Sequence, residues 1–98
     1  MNSLVVRPAA EADLQEAYEW YEKRQTGLGT EFLDCVDEAL EKIARKPDLG
    51  FLVHKTMRRA RVRRFPYGVF YLVAGQSIIV VAVMHGRRSP RQWKSRRE

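Results

Sequence analysis

The chain is expected to fold as an α+β domain of βααβββ order, an antiparallel sheet with an α-helical hairpin packed on one face. Three observations predict this. Two consecutive stretches in the first half place apolar residues at helical spacing and acids on the remaining faces. Residues 57–83 carry β-type runs separated by Gly- and Pro-bearing turns. The 98 residues, 45% of them hydrophobic, suffice for one small core without metal or disulfide staples, so residues 1–98 are read as a single domain.

Taken in order, residues 3–7 form a short β-type run that Pro8 ends. Proline suits a first helical turn, where its missing N–H would be unpaired in any case. Ala10, Leu14, Ala17, Tyr18 and Tyr21 then recur at helical spacing, with acids early and Lys23 and Arg24 late, as the macrodipole favours. Gly27 suits the left-handed residue after the last turn. A second helix starts near Leu28, with Phe32, Val36, Ala39, Leu40 and Ile43 as its stripe, and Pro47 stops it. So short a connection makes an antiparallel hairpin. Cys35 flanks the stripe as a small half-buried hydrophobe; no His or CxxC accompanies it.

Residues 48–55 fit either a short edge strand or a loop laying Phe51 and Leu52 over the core. From Met57 the pattern alternates, with Ala60 and Val62 on one face and Arg59, Arg61 and Arg63 on the other. Phe65-Pro66-Tyr67-Gly68 is expected to turn. Residues 69–73 are apolar on both faces, and Ala74-Gly75-Gln76 turns again. Residues 78–83 are β-branched except at Ala82, which predicts the central strand, covered on both sides. The first strand is expected to return to a sheet edge beside this last one.

Charge is segregated along the chain. Residues 1–49 hold six Lys/Arg and eleven Asp/Glu, a balance of −5; residues 50–98 hold twelve and one, a balance of +11. The folded chain should therefore be dipolar, its basic sheet and tail attracting polyanions or an acidic protein partner. The single cysteine allows no intrachain bridge and fits a reducing compartment. The N-terminus lacks the apolar region of a secretory signal. The longest apolar run, residues 78–84, is far below the ~20 residues a membrane span needs. A cytoplasmic protein with no membrane partner is expected.

Several short motifs then fall in a telling order. They are Ala12-Asp13-Leu14 through Trp20-Tyr21, Gly27-Leu28-Gly29 ahead of Phe32-Leu33, Arg63-Arg64-Phe65-Pro66-Tyr67-Gly68 with Phe70-Tyr71, and His85-Gly86-Arg87-Arg88 with Pro90 and Trp93. By these the chain resembles the toxins of the RelE/ParE superfamily of bacterial type II toxin–antitoxin pairs, over nearly its whole length and closer to the ParE-like branch. The resemblance implies no cofactor and no metal. It implies a cognate antitoxin whose disordered, acidic C-terminal segment wraps the basic sheet and the hairpin.

Two activities follow from the family, with different requirements. RelE-like members cut mRNA on the ribosome by in-line attack of a ribose 2′-hydroxyl. That chemistry needs a general base, a general acid and cations for the developing charge. The catalytic candidates on that reading are His85 as base, Arg61 and Arg63 as phosphate clamps, and Tyr71 to orient. ParE-like members instead poison DNA gyrase by binding, which asks only for a rigid basic surface. Its candidates are Arg58, Arg59, Arg61, Arg63, Arg64, Arg87, Arg88, Arg91 and Trp93. The ParE-like reading is favoured; a fold that keeps only antitoxin binding is the third. Trp93 is equally suited to folding the tail back onto the sheet, and some strand arginines to pairing with helix acids.

Overall fold

In the computed structural model, which describes residues 3–97, the chain runs β1 (Ser3–Val6), α1 (Pro8–Arg24), α2 (Leu28–Arg45), β2 (Phe51–His54), β3 (Met57–Arg61), β4 (Tyr67–Ala74), β5 (Ser77–His85) and a short α3 (Pro90–Lys94). A 3-10 turn, Ser95–Arg97, follows. The five strands form one sheet in the order β1-β5-β4-β3-β2.

The helical hairpin forms as the spacing predicts, and its tight connection has a local cause. Gly27 takes the left-handed conformation at φ 91°. It brings no side chain to cap α2, so Glu22 of α1 supplies one: its carboxylate accepts from the N–H groups of Gly27 (2.9 Å) and Gly29 (3.0 Å). Gly29 lies against α1 so closely that a Cβ there would sit 2.7 Å from the Tyr18 carbonyl oxygen. The hairpin covers one face of the sheet, packing Ala17, Phe32, Val36 and Ile43 with Val69, Tyr71, Ile78, Val80 and Val83.

Four features differ from the expectation. The sheet is mixed, because β1 does lie beside β5 but runs parallel to it, with Val6 opposite Val80. Residues 51–54 take the edge-strand alternative of the two left open for 48–55, so the strand count after the hairpin is four where βααβββ order gave three. β4, not β5, is central, although β5 is covered on both faces as predicted. The turn after β3 covers residues 63–66, two earlier than the Phe65–Gly68 expected. Arg64 takes the left-handed residue at φ 72°, Val62 N–H already bonds Tyr67 O, and Tyr67 and Gly68 belong to β4.

The outer face of the sheet is also covered, by the tail. Trp93 of α3 is buried and stacks on Phe70, ring centroids 4.7 Å apart, over Met57, Val81 and Met84. A bulge in β5 makes this second core possible. Phe70 pairs with Ala82 but Tyr71 pairs with Val80, so Val81 is the extra residue. Before it, Ile78 and Val80 face the hairpin; after it, the parity flips and Val83 faces the hairpin instead.

Candidate functional site: two clefts on opposite faces

The bulge decides where the sequence-predicted site residues go. Past Val81, His85 shares the hairpin side with Val83 and Tyr67, and its ring meets Tyr67 edge-on, centroids 5.5 Å apart. It lines a cleft of about 510 Å³ between α1 and the end of β5, together with Asp13, Glu16, Trp20 and Arg88. Arg59 and Arg61 stand on the other face. Arg59 is paired with Phe70 and Arg61 with Gly68, the neighbour of Met84, and both Phe70 and Met84 belong to the outer core. The candidate base and Arg61, one of the two candidate phosphate clamps, therefore line different clefts.

His85 is further constrained by its own turn. The Arg87 N–H donates to His85 Nδ1 at 3.0 Å. In the neutral ring this engages the basic lone pair and leaves the proton on Nε2, so the imidazole presents a donor to the cleft. Asp13 and Glu16 line the same cleft, each already engaged by a guanidinium, of Arg96 and Arg88 respectively. Tyr71 is not available either. It is fully buried, and its hydroxyl donates to Pro47 O (2.8 Å) and accepts from Gly50 N–H (2.8 Å), which fixes the loop before β2. Burial raises its pKa and keeps it protonated.

The arginines divide in the same way. Arg63 does not share the outer face. It sits in the turn and reaches back to α2, where its guanidinium makes two hydrogen bonds to Glu38 (2.9 and 3.1 Å). That contact holds the Glu38 carboxyl below its ordinary pKa. Arg64 pairs with Glu31 at 3.2 Å, and Arg88 with Glu16 at 3.5 Å. Arg58 donates to Gly50 O at 2.7 Å, clamping the loop that Tyr71 also holds. Trp93 is a core residue. Arg59, Arg61, Arg87 and Arg91 have no carboxylate partner among the described residues.

Arg59 and Arg61 stand together on the outer face. A shallow cleft of about 420 Å³ is lined there by Arg59, Arg61, Phe51, Phe65, Pro66, Tyr67 and Gly86, none of them acidic. The Arg59 stem crosses Gly68, where a Cβ would collide with its Nε, and its guanidinium reaches toward Gly86. A glycine is thus what lets this long side chain lie flat across the sheet. Phe51, 74% exposed, stands at the rim. Among the described residues no group of three His, Cys, Asp or Glu side chains is placed to hold a metal ion, and no helix is long and apolar enough to cross a membrane.

One polar network escaped the sequence reading. Asp13 accepts from Val83 N–H (3.0 Å) and binds the Arg96 guanidinium through both oxygens, while Arg7 donates to Arg96 O. It closes the edge of β5 beyond β1 and ties the tail to α1. Asp13 lies in the second turn of α1 and reads from the sequence as one of its polar-face acids, and nothing in the spacing points 83 residues ahead to Arg96.

Comparison with known proteins agrees with this fold. Residues 4–90 match the family model of the ParE toxin of the type II toxin–antitoxin system parDE. The chain therefore belongs to the ParE toxin family, and a cognate antitoxin is its implied partner. Among solved structures it is similar to a chain of the chromosomal ParDE system of P. aeruginosa, with TM-score 0.77 and 19% identity over 87% of this chain and 96% of that one. It also resembles a copper-bound mutant toxin from Helicobacter pylori (TM-score 0.60, 12% identity, 87% and 94% covered). The isolated E. coli RelE toxin gives TM-score 0.53 and 13% identity, with 97% and 95% covered. No curated protein matches the sequence.

Proposed function

We propose that this ParE-family toxin acts by binding, without a chemical step, that its target is DNA gyrase, and that it works in the cytoplasm under the control of its antitoxin. One observation carries the reading: His85 and the pair Arg59 and Arg61 lie on opposite faces of the sheet. In-line cleavage of RNA needs base, acid and cation within hydrogen-bond reach of one phosphate. A binding toxin needs only the rigid outer face, with its two guanidinium groups and the exposed Phe51. Family membership supports gyrase over the ribosome as the partner of that face.

The test is a pair of assays on the same preparation. Gyrase with supercoiled plasmid should accumulate cleaved DNA when the toxin is added, and primer extension on translated mRNA should show no new cuts. Cuts in mRNA with no effect on gyrase would overturn the proposal. If induction leaves growth untouched, the fold serves antitoxin binding alone.

A further inference from the structure

The cleft on the hairpin side carries groups that the outer-face reading leaves unused. Four rings line its volume of about 510 Å³, those of Trp20, Tyr21, Tyr67 and His85. That is the size of an ordinary small-molecule pocket. The rings brace one another edge-on, Trp20 against Tyr21 with centroids 5.1 Å apart and Tyr67 against His85 at 5.5 Å. Trp20 is half exposed, and the Arg24 guanidinium lies 3.7 Å over its ring, so the indole is held where it lines the cleft. An exposed tryptophan fixed in a cleft is a stacking surface for a flat ring.

Polar groups of both kinds stand beside these rings. Glu16 and Arg88 lie side by side, carboxylate and guanidinium 3.5 Å apart and both exposed. An exposed ion pair contributes little to stability, so a ligand that satisfies each partner separates them at small cost. The Tyr67 hydroxyl and His85 Nε2 have no hydrogen-bond partner among the described residues. Burial raises the Tyr67 pKa and keeps that hydroxyl protonated. Asp13, less exposed than Glu16, is committed to Arg96 and to Val83 N–H.

We propose that this cleft binds a guanine base. The pairing edge of guanine presents O6, N1–H and the 2-amino group in that order, one acceptor followed by two donors. A carboxylate takes both donors through its two oxygens, and a guanidinium beside it donates to O6. Glu16 and Arg88 form such a neighbouring pair, and the aromatic wall stacks the purine. Adenine puts an acceptor, N1, where the second carboxylate oxygen needs a donor. Cytosine offers a complementary edge but a smaller ring, which stacks less and fills less of the cleft. The site opens on the hairpin side, away from Arg59 and Arg61, and does not depend on gyrase being the target. The base arrives either in a free nucleotide or unstacked from a nucleic-acid strand.

The test is isothermal titration calorimetry of the full-length protein with guanosine monophosphate, which should bind at one site with Kd below about 1 mM. Adenosine and cytidine monophosphates should bind about tenfold more weakly, and inosine monophosphate, which lacks the 2-amino group, about fivefold. Trp20→Ala and Glu16→Gln should each lower the affinity about tenfold, with thermal midpoints within about 3 °C of wild type. Lys42→Ala, on α2 and outside the cleft, should leave it unchanged. Equal binding of all these nucleotides would mean that basic side chains hold the phosphate alone, and would overturn the proposal. So would the absence of binding, or an affinity indifferent to both Trp20→Ala and Glu16→Gln. A thymidine pentamer with guanine at its centre separates the two sources. Affinity equal to or above that of the mononucleotide, and sensitive to Glu16→Gln, assigns the site to a strand; affinity well below it assigns the site to the free nucleotide.

Discussion

Tyr71→Phe isolates one hydroxyl, and the structure fixes what its loss should do. The ring stays in the core, where Tyr71 is 0% exposed, so packing is preserved. What disappears is the partner of Gly50 N–H, which is buried, and of Pro47 O, which is half-buried and can recruit water. An unsatisfied buried group costs about 1–3 kcal/mol, so the variant should lose about 2 kcal/mol. For a chain of this length that is a fall of about 10 °C in the thermal midpoint, read by circular dichroism at neutral pH. The pH dependence supplies a second readout. Burial raises the Tyr71 pKa in the folded state, so its contribution is complete below the ordinary tyrosine value and is lost as pH rises through the raised one. Tyr67 and Tyr21 shift the same way and share the effect. Above about pH 10 the wild type should therefore lose stability more steeply than the variant. Growth inhibition at a temperature where the variant is folded should be retained. A midpoint within about 2 °C of wild type, or a folded but inactive variant, would refute the structural role given to this residue.

Other substitutions probe the remaining parts. His85→Ala should leave toxicity within about threefold of wild type, against the ~10²-fold or greater loss expected of a general base; induced-growth curves decide it. Trp93→Ala removes the ring stacked on Phe70 and should cost about 3 kcal/mol in urea denaturation, since it strips the cover from the outer core. Gly29→Ala places a methyl against the Tyr18 carbonyl and should destabilise by about 2 kcal/mol, seen as a lower denaturation midpoint.

The hairpin was legible because its signals are local: a 3.6-residue stripe, Gly27 at the joint, Pro47 at the stop. The neighbourhood of β1 and β5 was legible too, though not its parallel direction. β2 was legible only as one of two alternatives, since four residues with a register shift carry no alternation to decide between strand and loop. The side on which His85 emerges was hidden by the same property that made β5 easy to find. A β-branched run buried on both faces has no polar residue to mark its parity, so the bulge at Val81 leaves no trace in the sequence. The arginine run of residues 58–64 announced its sign but not its partners. Alternation alone separated Arg59 and Arg61 from Ala60 and Val62, while Arg63 and Arg64 lie in the turn and go to Glu38 and Glu31.

The deciding matter is which cations are free to meet an anionic target. Gyrase-mediated cleavage of supercoiled plasmid, titrated with purified toxin, compares two double variants: Arg59→Ala with Arg61→Ala, and Arg63→Ala with Arg64→Ala. The outer pair should lose about tenfold or more in potency, and the turn pair should keep nearly all of it. Equal losses, or a loss confined to the turn pair, would contradict the claim that the outer face of the sheet is the working surface.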